Sequence, residues 1–400
     1  MKRITVLIVF LLLLVKHSNL YSQTVNLNQG FVEQKEYFVT LPYQELKNKV
    51  IIEVSINNKK RKIIIDTGAP TAISEALCKE LQIKSMEQIT MTDESGAKGK
   101  SDIVTVPNIV FKEVTFKDNP AIVSNEKMLF KCFGVDGLIG SNLLRNSAIQ
   151  FNSKEKTVTI TNLPDKLKLR KKFSSDMELT KIQSNPYIKI KLKKDNITVN
   201  EKLLFDLGDD NFYELSMGIY KNIKAQKVDV FDSIAQNNGT YSFGIYGAAE
   251  AQKNYLLNIP KVEINKISFK NVTTKTTYAA SSRIGEYILN YGKVTLDYAN
   301  KKFYLEPFNE VTEFDIKEKS WAIDQTLNGN KIVVGIIWDK ALEDKINTGD
   351  EILKFDETSY QDVDFCTILL DKSKSTKEKV IVVLKDVKTG AIKNVEITKL

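Results

Sequence analysis

The feature that most constrains the fold of this chain is an internal duplication. A run of apolar residues that ends in an aspartate and a glycine occurs twice, and its two aspartates lie 140 positions apart. Two further anchors recur in the same order. The three pairs of segments are 63–68 with 203–208, 106–117 with 259–270, and 139–158 with 284–303. Such a repeat predicts two lobes of similar fold, and alternating apolar and polar residues predict that both are mostly β.

The first copy of the apolar run presents a carboxylate at a tight turn. Three isoleucines precede Asp66, and Thr67, Gly68 and Ala69 follow it. A carboxylate at the end of a buried strand is costly unless it is hydrogen-bonded. Gly68 permits another backbone segment to come close, and the Thr67 hydroxyl is able to brace the turn. An ordinary Asp-x-Gly turn at a strand end is the alternative interpretation.

This loop resembles the catalytic loop of aspartic proteases, in which hydrophobic residues followed by Asp-Thr-Gly present the acid. Residues 135–144 resemble the second signature of the retroviral-type members, a hydrophobic pair and a glycine before a short helix. The whole chain resembles the bacterial two-lobed, retropepsin-like aspartyl proteases that carry a C-terminal PDZ domain. The resemblance implies a catalytic dyad of Asp66 and Asp206, one from each lobe, so that a monomer is able to form a complete site.

The resemblance also implies which residues support the dyad and which cover the substrate. The supporting residues are Thr67, Gly68, Ala69, Gly208, Ile139, Gly140, Ile284 and Gly285. Ser95 and Gly96 lie at a hairpin tip in the place of the family's flap, with an extended polypeptide substrate in the cleft beneath it. Adjacent carboxylates share one proton because both do not ionise easily. The implied activity is peptide-bond hydrolysis by an exported aspartic endopeptidase with an activated water.

Lobe two departs from the family pattern at three positions. Leu207 replaces the usual hydroxyl residue, Asp209 takes the place of Ala69, and Arg283 takes the place of Leu138 in lobe one. If Asp209 points at the dyad, its charge raises the pKa values of the acids, and Arg283 either compensates a carboxylate or is exposed. Two other functions therefore stay open. One is a degenerate protease fold that binds peptides without cutting them, and the other is a secreted scaffold whose PDZ groove is its only active surface.

Residues 1–22 have the features of a secretory signal peptide. Lys2 and Arg3 precede an apolar run at 4–15 that is too short for a comfortable membrane span. Cleavage near Gln23 predicts a protein exported to the periplasm or the extracellular space, without a stable membrane span. An uncleaved N-terminal anchor is the alternative. The net charge of +8 comes from lysine-rich turns without interleaved aromatics, so no nucleic-acid partner is predicted.

Histidine and cysteine usage excludes several other chemistries. The one histidine, His17, lies in the predicted leader, so the mature chain has no Ser-His-Asp or Cys-His catalysis and no His-ligated metal. No metal and no cofactor are predicted. Cys78, Cys132 and Cys366 lack a metal-binding spacing. A Cys78–Cys132 bridge and buried free thiols both stay open.

The predicted domain boundaries follow from the repeat. They are a signal peptide at 1–22, lobe one at 23–163, a linker at 164–176, lobe two at 177–310 and a third unit at 313–400. The third unit resembles a PDZ domain, and the resemblance implies a groove for protein C-termini at Ser320, Trp321, Ala322 and Ile323. A packing domain without a ligand is the alternative. Because the third unit has no repeat partner and follows a polar segment, we expect it to fold independently.

Overall fold

The computed structural model describes residues 25–92, 98–124, 127–241, 243–244, 247–361, 363–370 and 375–400. Over these residues the chain is mostly β, as the sequence predicted. The predicted signal peptide and the hairpin tip with Ser95 and Gly96 lie outside them. No helix in the described part of the chain is long and apolar enough to cross a membrane.

Lobe one is built from short antiparallel strands and three short helices. Its strands are β1 (Phe31–Val32), β2 (Phe38–Leu46), β3 (Lys49–Ile56), β4 (Lys59–Ile65), β5 (Ala72–Ser74), β6 (Glu87–Thr92), β7 (Lys98–Phe111), β8 (Val114–Ser124), β9 (Gly137–Ile139), β10 (Ala148–Asn152) and β11 (Thr157–Thr161). Its helices are α1 (Glu75–Glu80), α2 (Lys127–Phe133) and α3 (Ser141–Leu144). Helix α1 begins where the Ser74 hydroxyl accepts a hydrogen bond from the Leu77 N–H at 3.1 Å, which is a typical N-cap.

Lobe two has a similar set of elements. Its strands are β12 (Ser174–Leu179), β13 (Pro186–Lys194), β14 (Ile197–Phe205), β15 (Tyr213–Ser216), β16 (Asp232–Gly239), β17 (Phe243–Gly244), β18 (Gly247–Ala248), β19 (Gln252–Ile264), β20 (Ile267–Thr277), β21 (Arg283–Ile284), β22 (Gly292–Asp297), β23 (Lys302–Pro307) and β24 (Glu313–Asp315). Its helix is α4 (Met217–Ala225), and 3₁₀ turns lie at Pro164–Leu167, Lys171–Phe173 and Glu286–Asn290. In β13, Ile188, Ile190 and Leu192 are buried while the lysines between them are exposed, so one face of the strand packs on the core.

The two lobes repeat the same strand pairing around their aspartate loops. In lobe one, β4 runs parallel to β9, with Ile65 beside Ile139, and β5 pairs with both β9 and β8. In lobe two, β14 runs parallel to β21, with Phe205 beside Ile284, and β15 pairs with both β21 and β20. The duplication in the sequence is therefore also a duplication of topology.

An antiparallel sheet joins the two lobes. Its strands follow the order β2, β11, β10, β22, β23, β12, and the lobes meet where Ile149 of β10 lies opposite Leu296 of β22. Buried side chains of this sheet, such as Phe151 and Phe303, belong to one hydrophobic core that continues through both lobes. A continuous core fixes one lobe against the other, and with them the two aspartate loops.

The C-terminal unit is a separate sheet with its own core. Its elements are β25 (Ile323–Asn328), β26 (Lys331–Ile337), β27 (Glu351–Phe355), β28 (Thr358–Ser359), α5 (Phe365–Leu370), β29 (Lys379–Lys385), β30 (Ile392–Thr398) and a 3₁₀ turn at Lys340–Leu342. The sheet follows the order β25, β26, β27, β29, β30, with β28 beside β27. Val334, Val382 and Leu384 are fully buried in its core. Its identity as a PDZ domain stays a prediction.

Strand pairing differs from two of the predicted boundaries. Strand β12 begins at Ser174, inside the segment predicted as a linker, and pairs with β23. Strand β24 pairs in parallel with β20, with Phe314 beside Phe269, so residues 313–315 lie in the sheet of lobe two and not in the third unit. The polar character of segment 309–318 suggested a tether, but backbone pairing and the contact of the two phenylalanine rings hold part of it in place.

The C-terminal unit is joined to both lobes, and its ability to fold independently stays a prediction. Cys132 of α2 forms a disulfide with Cys366 of α5, and Cys78 is free and half-buried. The Cys78–Cys132 bridge considered above is therefore wrong, because docking of α5 on α2 brings Cys132 a partner 234 residues away. On lobe two, the Thr240 N–H donates to the Gly335 carbonyl oxygen at 2.9 Å.

Candidate active site

The two aspartate loops are held at the ends of equivalent strands. Asp66 follows β4, and its N–H donates to the carbonyl oxygen of Ile139 at 3.0 Å. Asp206 follows β14, and its N–H donates to the carbonyl oxygen of Ile284 at 2.9 Å. The parallel neighbour strand therefore sets the direction of each loop in the same way. Both aspartates and both of these isoleucines were named from the sequence.

Close backbone approach explains the glycine that follows each of these isoleucines. A Cβ atom on Gly140 would lie closer than 3.0 Å to backbone atoms of the Asp66 loop, at Ala69 and Pro70. A Cβ atom on Gly285 would lie 2.6 Å from the carbonyl oxygen of Asp209, in the loop of Asp206. Each aspartate loop thus rests directly on a glycine of the strand beneath it.

The carboxylate of each aspartate lies at the loop of the opposite lobe. A Cβ atom on Gly68 would lie 2.3 Å from Asp206 Oδ1 and 2.5 Å from Asp206 Oδ2, and a Cβ atom on Gly208 would lie 2.5 Å from Asp66 Oδ2. Each carboxylate is therefore packed against the glycine of the opposite loop. Any larger residue at 68 or 208 would displace the opposite carboxylate.

Backbone N–H groups of each loop bind its own carboxylate. Asp66 Oδ1 accepts from the Gly68 N–H at 2.9 Å and from the Ala69 N–H at 3.1 Å. Asp206 Oδ1 accepts from the Gly208 N–H at 2.9 Å. These bonds fix one oxygen of each carboxylate within its own loop.

A single hydroxyl ties the two loops together. Thr67 Oγ1 donates to the carbonyl oxygen of Phe205 at 2.8 Å and accepts from the Leu207 N–H at 3.0 Å. Leu207 has no hydroxyl with which to return this contact, and its side chain is fully buried. The brace between the lobes is therefore made from lobe one only, as the departure at position 207 predicts.

A buried guanidinium lies beside the carboxylate of lobe two. Arg283 Nη1 is 3.3 Å from Asp206 Oδ2, and Arg283 Nε is 3.7 Å from Asp209 Oδ2 and 3.8 Å from Glu214 Oε2. The Arg283 side chain is 7% exposed, which resolves the two alternatives left open for it: it compensates carboxylates. Leu138, its counterpart in lobe one, packs in apolar clusters instead.

Side chains of each lobe bind the glycine carbonyl of the opposite loop. Lys49 Nζ of lobe one donates to the carbonyl oxygen of Gly208 at 2.5 Å and forms an ion pair with Asp210. Asn185 Nδ2 of lobe two donates to the carbonyl oxygen of Gly68 at 2.6 Å. Sequence reasoning missed both residues, since their partners are more than a hundred positions away. No local signal marks Lys49 in the sequence, because its strand also carries the polar residues Glu53 and Ser55.

The environment of Asp66 favours a shared proton. Burial raises the pKa of Asp66 to about 7, and the charge of Asp206 acts in the same direction. The cation of Lys49 and the N–H groups of Gly68 and Ala69 act in the opposite direction but do not outweigh burial. At neutral pH a carboxyl with this pKa is present in both protonation states.

Two further acids near the loops are buried. Burial raises the pKa of Asp209, although Arg283 opposes this shift. Glu286 is 3% exposed, and its N–H donates to the Asp209 carbonyl oxygen at 2.8 Å. Burial, followed by the charge of Glu45, raises the pKa of Glu286 to about 8. Among the described residues, no group of three His, Cys, Asp or Glu side chains is arranged to hold a metal ion.

Backbone groups of the predicted peptide groove form hydrogen bonds within the third unit itself. The Ala322 N–H donates to the carbonyl oxygen of Thr398 at 2.9 Å, and the Ser320 carbonyl oxygen accepts from the Leu400 N–H at 2.8 Å. Ala322 and Ile323 are buried, whereas Trp321 is half-buried. Because the Ala322 N–H already donates to Thr398, it is not available to bind a terminal carboxylate.

Two buried aspartates, one from each lobe, thus lie on opposed loops at this site. Residues 52–146 match the model of the family described as gag-polyprotein putative aspartyl protease, and this similarity covers part of the first lobe. None of the curated proteins matches the chain.

Two solved structures of aspartic proteases resemble the chain. A retropepsin-like aspartic protease from Rickettsia conorii has 16% identity and a TM-score of 0.24, over 33% of this chain and 94% of its own. An aspartic proteinase from Irpex lacteus has 13% identity and a TM-score of 0.41, over 68% of this chain and 97% of its own. At scores below 0.5, these similarities do not define the architecture of the whole chain.

Proposed function

We propose that this protein is an exported aspartic endopeptidase that hydrolyses peptide bonds with Asp66, Asp206 and an activated water. The observation that carries the proposal is the reciprocal packing of the two carboxylates, each 2.5 Å from the Cβ position of the opposite loop's glycine. One chain supplies both acids, so a monomer is able to form the site.

The charges around the pair support separate roles for its two acids. The Arg283 guanidinium lies 3.3 Å from Asp206 Oδ2, which places a positive charge beside the acid of lobe two. Burial holds the pKa of Asp66 at about 7, so Asp66 carries the shared proton at mildly acidic pH. Asp206 is therefore the general base, and Asp66 is the general acid.

The reaction balances with one water and one peptide bond. Asp206 accepts a proton from the water as its oxygen attacks the peptide carbonyl carbon, and Asp66 donates its proton to the carbonyl oxygen. The tetrahedral intermediate then collapses: Asp206 passes its proton to the departing amine nitrogen, and Asp66 recovers a proton from the hydroxyl as the carbonyl re-forms. Neither step requires histidine or a metal.

The test is cleavage of a reduced, carboxymethylated protein by wild type and Asp66→Asn. We expect wild type to release peptides from internal bonds and the variant to release none at an unchanged melting temperature. Cleavage by the variant at the wild-type rate would refute the assignment of Asp66.

Peptide binding without cleavage is the second candidate, and one observation favours it. Arg283 neutralises Asp206 in a lobe that also lacks the hydroxyl at Leu207. If wild type binds the same unfolded protein but never cuts it, this candidate replaces the first.

Export is proposed from residues 1–22, with a mature N-terminus near Gln23. N-terminal sequencing of the protein from its native cells, together with cell fractionation, tests this. An intact leader on protein in the cytoplasm would contradict it. Recognition of protein C-termini, which the resemblance to PDZ domains implies for the third unit, is not proposed, because the Ala322 N–H is already bonded to Thr398.

A further inference from the structure

A cavity lies where both lobes and the C-terminal unit meet. Its volume is about 900 Å³, which is within the range of ligand-binding cavities. Its walls include Lys49 of lobe one, Gly208, Asp209 and Arg283 of lobe two, and Trp321 and Asp324 of the C-terminal unit. The resemblance to proteases and the paired carboxylates concern the two lobes, so they do not explain the wall that the C-terminal unit contributes.

The cavity borders the loop that carries Asp206, although neither Asp66 nor Asp206 is among its lining residues. Gly208 is part of that loop, and its Cβ position lies 2.5 Å from Asp66 Oδ2. Arg283 lines the cavity and also contacts Asp206 Oδ2 at 3.3 Å. Two residues of the cavity wall therefore pack against the aspartates, which places the cavity beside the pair.

Several contacts anchor the C-terminal wall to lobe two. Asp324 Oδ2 is 2.6 Å from Lys275 Nζ of lobe two and accepts from Trp338 Nε1 at 2.7 Å. Asn237 Nδ2 of lobe two donates to the carbonyl oxygen of Ile337 at 2.7 Å.

The apolar side of this interface is equally close. Leu256 of lobe two forms a buried cluster with Ile336 and Trp338. Gly239 lies so near to β26 that a Cβ atom on it would be 2.9 Å from the Ile336 Cα.

Lobe one holds the same unit from the other side. The disulfide of Cys132 with Cys366 links α2 to α5. Phe133, next to that cysteine, and Leu369, three residues after Cys366, both line the cavity. The wall is thus fixed to both lobes, and its position relative to the aspartate pair is set by covalent and non-covalent contacts.

The chemistry of the cavity suits an extended polypeptide. Its charges are paired within the protein, with Lys275 beside Asp324 and Arg283 beside Asp209, so no single charged small molecule is favoured. Trp321 packs edge-on against Phe355 at 5.5 Å between ring centroids, and Lys399 Nζ lies over its ring at 4.9 Å from the centroid. The remaining surface of this half-buried ring adds apolar area to the cavity wall. The Ala322 N–H is already bonded to Thr398, which disfavours a terminal carboxylate as the group that binds.

We propose that the C-terminal unit forms a wall of the substrate site, and that Trp321 contacts an internal segment of the bound polypeptide on the lobe-two side of the scissile bond. Only the position of the scissile bond in this proposal rests on the proposed function. Trp321 is accordingly a specificity-determining residue of the endopeptidase, and the C-terminal unit is not an independent binding module.

The test measures binding without cleavage. A fluorescently labelled, reduced and carboxymethylated protein is titrated with Asp66→Asn, and anisotropy gives the Kd. The same titration is made with Trp321→Ala and, as a control on the exposed face of β29, Ile381→Ala, each in the Asp66→Asn background. We expect Trp321→Ala to raise the Kd about tenfold and Ile381→Ala to leave it unchanged. Trp321→Leu replaces the alanine variant if the latter melts early.

Several outcomes would overturn the proposal. They are an unchanged Kd in both Trp321 variants, no binding by the Asp66→Asn parent, or binding of short peptides that is lost when their C-terminus is amidated. If Trp321 governs binding while wild type cuts nothing, the cavity proposal holds and the endopeptidase assignment fails. The experiment therefore distinguishes failure of the cavity proposal from failure of the endopeptidase assignment.

Discussion

Arg283 provides the sharpest mechanistic prediction, because it is the cation nearest to the proposed general base. Replacement by leucine keeps much of the side-chain volume and removes the charge 3.3 Å from Asp206 Oδ2. The proposed general base then loses its positively charged neighbour, and Asp209 and Glu214 lose the same partner. Because removing one partner from a buried ion pair is destabilising, we expect the free energy of unfolding to shift downward and kcat/KM to fall with it.

The size of the shift follows from the geometry. At 3.3 Å and an effective dielectric constant of roughly 20, the attraction is about 5 kcal/mol. Asp209 and Glu214 share the same guanidinium, with Nε at 3.7 Å and 3.8 Å, so only part of this energy belongs to Asp206. Removing one partner from a buried ion pair typically costs about 3–5 kcal/mol, and the free energy of unfolding should fall by that amount.

The assay is chemical denaturation together with kcat/KM on an unfolded protein for wild type and Arg283→Leu. Arg283→Lys should recover part of both losses, since it retains the charge but not the planar geometry of the guanidinium. Arg61→Leu removes another mostly buried arginine, 14% exposed and paired with Glu80 and Asp136, and should leave kcat/KM unchanged. Wild-type stability and activity in Arg283→Leu would refute the assigned role of this cation.

Three further predictions concern stability and metals. The pKa of Glu286 is raised from 4.5 to about 8, so the folded state loses stability as pH rises between these values. The free energy of unfolding of Glu286→Gln should therefore exceed that of wild type by about 4 kcal/mol at pH 8 and equal it at pH 4. Equal stability of the two proteins at both pH values would contradict this. Cys366→Ser opens the bridge to Cys132 across 234 residues and should reduce the free energy of unfolding by about 5 kcal/mol, whereas Cys78→Ser should not change it, as chemical denaturation will show. Any peptidase activity should persist with a chelator, and loss that is restored by zinc would contradict the mechanism.

Local patterns in the sequence were enough to predict the aspartate loops. The apolar runs before Asp66 and Asp206 have the period of buried strands, and Asp-x-Gly requires a turn wherever it occurs. The duplication then predicted that both loops adopt one arrangement, which the pairing of β4 with β9 and of β14 with β21 confirms for the backbone.

Contacts between distant segments were not predictable in the same way. Lys49 binds Gly208 across 159 positions, and nothing near Lys49 in the sequence distinguishes it from the lysines of solvated turns. Arg283 is placed in the cavity by its register on β21, which the sequence predicted, but its partners depend on how Asp209 and Glu214 pack around it.

The attachment of the C-terminal unit was missed for a related reason. Polar residues at 309–318 suggested a tether, yet pairing of β24 with β20 depends on the edge strand of lobe two being uncovered there. The bridge between Cys132 and Cys366 depends on the docking of two short helices, which no local periodicity encodes.

The central claim is that one chain supplies both acids of one site, and the most direct test is the rate of cleavage by Asp206→Asn. Wild type, Asp206→Asn, Asp66→Asn and an equal mixture of the two variants are compared on the same unfolded protein over a range of enzyme concentrations. We expect wild-type activity per molecule to be independent of concentration, and both variants and their mixture to be at least about a hundredfold slower. Wild-type activity in Asp206→Asn would contradict the account, because the second acid would then come from lobe one of another chain.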